Sequence, residues 1–254
     1  MAVMIPAVMG DAVVQKETPT ACALSVHAVR RVPYTSNLIP FHYITFFLQR
    51  GYIYDRRNTM KGKRWDDYYT RRAKEEKWLA RSVYKLQEID NKFKLIPKGG
   101  HLLDLGCYPG SWSQYGIGKV GPGGNVTGID LSQPDQLSFP NFRFMQADVF
   151  SLEIEALVME TGKMDVVMSD LAPKTTGIKI TDESRSIALA GRAEEIALAF
   201  LKKKGHFLCK VFEGEDLKPF KSKVSENFKQ VRLYRSKATR KRSREVYLIG
   251  LGFR

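Results

Sequence analysis

HLLDLGCYPGSWSQ, residues 101–114, decides how the rest of the chain is read. A short apolar strand carrying one acid, Asp104, runs into Gly106, and after Pro109 and Gly110 the composition turns helical. A strand that ends in a glycine turn and enters a helix brings bare backbone close to a ligand. Further short apolar strands are expected at residues 125–130, 142–146, 164–169, 206–211 and 245–250, with helical stretches between them, clearest over residues 182–203. Strands alternating with helices predict an α/β fold with a mainly parallel sheet covered on both faces.

Working outward toward the amino terminus, residues 61–93 have helix-forming composition with apolar positions recurring at three and four, and PKGG at 97–100 breaks the pattern. Residues 1–59 read differently, with few charges and no sustained periodicity. A targeting leader, an accessory segment and translated sequence upstream of a true start at Met60 compete for this stretch. The last is favoured, because Asp11 and Glu17 interrupt the beginning and Arg30 and Arg31 come late for a transit peptide. The expected organisation is therefore an extension, 1–59, and one catalytic domain, 60–254.

Composition narrows the function. With 41 basic and 27 acidic residues the formal charge is +14, which points to a polyanionic partner. Residues 60–254 alone hold 35 basic and 24 acidic residues, so the basic character belongs to the predicted domain. Cys22, Cys107 and Cys209 are too few and too scattered for a disulfide framework or a zinc site, and the four histidines form no ligand-spaced cluster. No metal site is expected. The most apolar run, residues 38–48, is too short to span a bilayer and carries His42. A soluble, cytoplasmic, monomeric protein is expected.

Gly106 and Gly110 lie too far apart for the dinucleotide fingerprint, and no GK[ST] follows, so neither NAD nor a nucleotide phosphate is supported. Asp130 closes the strand GNVTGID, where a carboxylate can accept hydrogen bonds from two ribose hydroxyls, and Asp148 ends FRFMQAD. Taken singly, each aspartate could be a solvated strand end or a helix cap. Three acids in register after successive strands are harder to dismiss. Asp170 ends a fourth strand, Lys210 lies at the end of GHFLCKVFEG, and Glu245 opens the last strand.

The turn Asp104-x-Gly106-x-x-Pro109-Gly110 resembles motif I of the S-adenosylmethionine-dependent methyltransferases, in which the acid after the third strand, here Asp148, commonly contacts adenine. SDLAP at 169–173 is not the Asn/Asp-Pro-Pro-aromatic motif of amino-group methyltransferases. From about Lys63 to the carboxyl terminus the chain is similar to the FtsJ/RrmJ family of ribosomal RNA 2'-O-methyltransferases, also called RlmE. ARSVYKLQEID, LLDLGCYPGSWSQ, VVMSDLAP, KVFEGE and KATRKRSREVYLIG carry the resemblance, in family order and spacing.

That resemblance implies a Rossmann-like fold, a seven-stranded mostly parallel sheet with the last strand antiparallel. It also implies a Lys-Asp-Lys-Glu tetrad at Lys85, Asp170, Lys210 and Glu245, with cofactor contacts that include Gly110, Trp112, Asp130, Asp148 and Asp170. CYPGSW stands where relatives often have AAPGGW, so Cys107, Tyr108 and Ser111 reshape the pocket while Gly106, Pro109, Gly110 and Trp112 remain. The implied substrate is a uridine of large-subunit ribosomal RNA within a ribosomal particle. Relatives with the same tetrad act on tRNA anticodon loops or mRNA caps, and the short core without a carboxyl-terminal extension favours ribosomal RNA. A noncatalytic RNA-binding assembly factor is the reading from another class, against which the complete tetrad argues.

A ribose hydroxyl is a weak acid and a poor nucleophile, so an enzyme must align it with an activated methyl group and handle one proton. Lys210 is the candidate for that proton, with Lys85 tuning it and holding substrate, Asp170 positioning near the methyl group and Glu245 orienting the lysines or the hydroxyl. Basic segments at 61–78 and 235–244 flank these residues and supply phosphate contacts, while Trp65, Tyr68 and Tyr69 either stack on unpaired bases or pack their helix onto the domain.

Overall fold

In the computed structural model the described residues are 67–254, apart from position 135. The expected boundary between 59 and 60, and with it Trp65 and the first basic residues, lies outside them. Two helices come first, α1 (Asp67–Glu75) and α2 (Val83–Phe93), followed by β1 (His101–Leu105), α3 (Ser111–Val120), β2 (Asn125–Asp130) and β3 (Phe142–Gln146). A single 3-10 turn at Val149–Ser151 leads to α4 (Ile154–Thr161) and β4 (Met164–Ser169). The remainder is α5 (Lys179–Phe200), β5 (Leu201–Phe212), α6 (Leu217–Asn227), β6 (Phe228–Tyr234) and β7 (Glu245–Phe253).

The seven strands form one sheet in the order β3-β2-β1-β4-β5-β7-β6. Strands β1 to β5 pair in parallel, and β7 is antiparallel to both β5 and β6. The expected seven-stranded architecture is therefore present. Alternate residues of each strand enter opposite cores, as the two-residue period of a strand requires. Leu103, Val167, Phe207, Cys209 and Leu248 face α4, α5 and α6; Leu102, Val166, Met168, Leu208, Tyr247 and Ile249 face α1, α2 and α3. Burial on both faces explains why the central strands read as continuous apolar runs. Among the described residues no helix is long and apolar enough to cross a membrane.

Three local expectations are corrected. Residues 61–93 are not one uninterrupted helix: the chain breaks after Glu75, Lys77 adopts φ 59°, and the Glu76 carboxylate collects Arg72, the Trp78 indole N–H and the Tyr84 hydroxyl. That turn lets Trp78 and Leu79 pack against the core under α1–α3 instead of continuing a solvated helix. The long helix ends at Phe200, because Leu201–Lys204 already belong to β5, and Leu201 pairs with Met164 before the register shifts. Finally, β6 was not anticipated, since its outer position leaves Lys229, Gln230, Arg232 and Leu233 exposed and dilutes its apolar signal.

Candidate active site

The carboxyl edge of the sheet collects the charged residues singled out above, and local geometry explains how. Gly106 leaves β1 at φ 77°, and a β-carbon there would lie 2.9 Å from Leu171 Cδ2 and 3.1 Å from the Leu171 backbone nitrogen. Pro109 follows a cis bond from Tyr108, and Gly110 caps α3 at φ 112°, beneath Leu79, Pro134 and Leu137. The turn thus presents bare backbone where β1 and β2 end, the place at which a ligand cleft is expected in an open α/β sheet.

Carboxylates ring that cleft. Asp104 is fully buried; its Oδ2 accepts a 2.7 Å hydrogen bond from Ser113 Oγ, whereas Oδ1 has no partner. Burial raises its pKa to about 7, helped by the nearby negative charges of Asp170 and Asp130. An unpartnered buried carboxylate oxygen is costly unless a donor arrives. Asp130 accepts one backbone N–H on each oxygen, from Ser132 and Tyr108, both at 3.0 Å. Asp148 caps the 3-10 turn by accepting the Phe150 N–H at 3.0 Å. Tyr108, expected from the sequence to reshape the pocket, is exposed, as are Leu131 and Phe150, which follow Asp130 and Asp148 closely in sequence and to which sequence reasoning gave no role.

Beside the cleft the four tetrad residues meet. Lys85 comes from the first turn of α2, Asp170 follows β4, Lys210 lies on β5, and Glu245 begins β7. Because β7 runs against β5, Glu245 pairs in register with Phe212 and Tyr247 with Lys210, which brings the start of β7 to this edge. Lys85 Nζ lies 2.7 Å from Glu245 Oε1, and Lys210 Nζ lies 3.0 Å from Asp170 Oδ1 while also donating to the Asp170 carbonyl. Lys210 and Glu245 are each only 8% exposed, so both pairs are poorly screened by solvent.

The residue that joins them is Tyr247. Its hydroxyl lies 3.0 Å from Asp170 Oδ1 and 2.9 Å from Glu245 Oε1, so one proton serves two carboxylates. Burial, then the charges of Asp170 and Glu245, push its pKa well above the usual tyrosine range, which keeps the hydroxyl neutral. Sequence reasoning missed Tyr247, although it stands two residues after Glu245 and therefore on the same face of the strand. Trp112, expected to contact a cofactor, is 2% exposed; its ring lies 5.8 Å from that of Tyr247 and its indole N–H donates to the Ser82 carbonyl. It thereby ties the α2 approach, and Lys85, to the tyrosine.

On the far side of Glu245 a cavity of about 270 Å³ is lined by Arg81, Ser82, Lys85, Ala238, Arg240, Ser243 and Glu245. Glu88 of α2 fixes the root of the loop that builds it, accepting from Tyr234, Ser236 and the Lys237 N–H. Within the basic run 235–244, Arg235 pairs with Glu213 and Arg244 with Glu183, so part of that charge holds the loop in place. Tyr69 packs inward against Tyr84, whereas Tyr68 is exposed. Among the described residues no group of three or more His, Cys, Asp or Glu side chains could hold a metal ion.

Residues 78–253 match the family model described as FtsJ-like methyltransferase. The chain is 45% identical over 195 residues to a ribosomal RNA large subunit methyltransferase E of Desulfosudis oleivorans, an alignment covering 77% of this chain and 94% of that protein. With the protein of the same name from Bdellovibrio bacteriovorus it shares 46% identity over 188 residues, or 73% and 95% of the two chains. A solved Plasmodium falciparum chain described as a ribosomal RNA methyltransferase superposes with a TM-score of 0.61 at 27% identity, over 69% of this chain and 98% of that one.

Proposed function

The chain belongs to the FtsJ-like methyltransferase family, and from that premise we propose that it methylates a ribose 2'-hydroxyl, with S-adenosylmethionine as donor and a uridine of large-subunit ribosomal RNA as target. The observation that carries this reading is the pair of ion pairs, Lys85–Glu245 and Lys210–Asp170, joined through Tyr247. The cluster lies between a carboxylate-ringed cleft and a cavity with basic walls.

The cleft fits the donor. Asp104 Oδ1 is a buried acceptor lacking a donor, as an α-ammonium group requires. Each Asp130 oxygen accepts one backbone N–H and retains a lone pair for a ribose hydroxyl. Asp148, beside exposed Phe150, fits an adenine ring, and Gly106 and Gly110, where a β-carbon has no room, bring bare backbone to the turn. When bound, S-adenosylmethionine supplies a methyl group already activated by its sulfonium charge.

The protein's own groups then align the acceptor and take up its proton. Lys210 directs two N–H groups at Asp170, so in its neutral amine form the nitrogen lone pair is left to accept the hydroxyl proton, which converts it to the ammonium. In this reading Lys210 handles the hydroxyl proton, Asp170 fixes Lys210 beside the cleft, and Lys85 with Glu245 orients the ribose from the cavity side. Arg81 and Arg240 line the route for an RNA phosphate chain.

The test is methyl transfer from labelled S-adenosylmethionine to large ribosomal subunits, naked ribosomal RNA, tRNA and capped mRNA, followed by mapping of ribose methylation. Transfer to a large-subunit uridine is expected. Transfer confined to tRNA or cap overturns the substrate, and cofactor binding without transfer to any RNA overturns the catalytic reading. Lys210→Ala is expected to abolish transfer while leaving cofactor binding intact; near-normal turnover by that variant contradicts the role given to Lys210.

A further inference from the structure

At the opposite edge of the sheet lies a second cavity, of about 250 Å³, that the chemistry above does not use. Lys94, Leu95, Pro97, Asp165, Lys203, Lys204, Gly205 and His206 line it. Its one carboxylate is ion-paired through one oxygen: Asp165 Oδ2 accepts both the His101 N–H and Lys202 Nζ at 2.8 Å, and Lys202 does not line the cavity. These bonds hold the Asp165 pKa below the usual carboxylate range against the opposing effect of burial. Lys94, Lys203 and Lys204 are exposed, and among the described residues none is ion-paired. His206 Nδ1 accepts the Gly252 N–H, so Nε2 carries the hydrogen and the neutral ring is a donor on its other side.

Backbone conformation singles out the same place. Three described residues other than glycine have positive φ, all of them lysines, and two, Lys94 at 54° and Lys204 at 70°, line this cavity. A side chain in that region costs on the order of 1–2 kcal/mol relative to glycine. Glycine fits a left-handed position without strain, yet each of these turns carries a long cation toward one concavity.

We propose that this lysine-lined cavity at the amino edge of the sheet is a second RNA-backbone contact, which grips a phosphodiester segment of the substrate remote from the methylated ribose. The inference rests on the RNA reading above. Strand β5 connects the two sites: His206 lines the cavity and Lys210 lies four residues farther on, about 13 Å along the strand. A short oligonucleotide seated at Lys210 cannot turn the edge of the domain to reach the lysines, whereas folded ribosomal RNA presents phosphates on several sides. Phosphate recognition needs only cations and a donor, which is what the walls offer.

The triple variant Lys94→Gln/Lys203→Gln/Lys204→Gln tests the proposal against the unaltered protein. Kinetics are measured on a short oligonucleotide and on intact large-subunit RNA, and binding of the long RNA is followed across a salt series. Expected are unchanged kcat and KM on the oligonucleotide, a KM on the long RNA raised about tenfold, and a slope of log Kd against log salt reduced by about two. Equal long-RNA affinity and salt slope in the two proteins overturn the proposal, as does an equal loss on both substrates. Protection of the lysines from acylation by inorganic phosphate but not by long RNA also overturns it, in favour of a small-anion site. Binding is read separately from transfer, so an unaltered protein inactive on every RNA counts against the function proposed above, and an unchanged salt slope counts against this second contact.

Discussion

Replacing Asp104 by asparagine should stabilise the protein without its ligand and weaken its hold on the cofactor. The carboxyl is fully buried, bonded on one oxygen to Ser113 and unpartnered on the other, with a pKa raised to about 7. Its unfolded value is about 3.9, so the folded value is the higher, and the stability this group contributes is present at low pH and lost as pH rises through the window from about 4 to about 7. Integrated between about pH 5 and pH 8, the loss is about 2.5 kcal/mol. Asparagine keeps the acceptor for Ser113 and does not ionise, at the cost of placing an amide donor in the unpartnered position, about 1–2 kcal/mol. Urea denaturation from about pH 5 to pH 8 should therefore show Asp104→Asn gaining about 2.5 kcal/mol on the parent across the range, and becoming the more stable protein at the alkaline end. S-adenosylmethionine should reverse the order, because its ammonium group pairs with the carboxylate and not with the amide. A stability difference independent of pH, or unchanged cofactor affinity in the variant, refutes the assignment.

Other outcomes follow from the same geometry. Tyr247→Phe removes the proton shared by Asp170 and Glu245 and should lower kcat about tenfold, corresponding to about 1.4 kcal/mol, with cofactor affinity measured by calorimetry unchanged. Glu194 is wholly buried, pairs with Lys223 at 2.6 Å and leaves Oε1 unpartnered. Lys223→Met should cost about 2 kcal/mol in urea denaturation, less than for a fully buried pair because the ammonium faces solvent, and Glu194→Met/Lys223→Met should recover most of it. Burial pushes the thiols of Cys107 and Cys209 far above the ordinary range, with Asp104 and Glu194 adding to the effect. Peptide mass mapping after iodoacetamide treatment at about pH 8 should find both unmodified until the protein unfolds.

Much of this site was legible in the sequence because chemistry and strand ends coincide in it. The apolar run ending at Leu105 locates the glycine turn, Asp130 ends and Asp170 follows a strand whose both-face burial makes it easy to see, and Asp148 follows the half-buried edge strand β3. Tyr247 was illegible for the opposite reason: inside a buried strand it reads as one more aromatic core residue, and only three-dimensional placement reveals its hydroxyl between two carboxylates. Trp112 has a structural task that its motif did not suggest, since its indole N–H donates to the Ser82 carbonyl. Strand β6 hid because an outermost strand alternates polar and apolar residues only loosely, and the break after α1 hid because Lys77 has no helix-breaking chemistry. Spacing alone also gave no sign that Lys94 and Lys204, distant in sequence, share one concavity.

The reversed direction of β7 separates two kinds of change open to this protein. Glycines and acids of the donor cleft come from chain laid down before β4 ends, whereas residues 235–244 feed directly into Glu245 from the other half of the chain. A strand running the ordinary way would deliver its beginning to the far edge and leave that loop behind the molecule. Here the middle of that loop can lengthen, shorten or exchange side chains while its root stays on Glu88 and the glycine turn after β1 is untouched. On the function proposed above, a single loop graft between relatives is the natural unit for moving the chemistry from one nucleic acid to another.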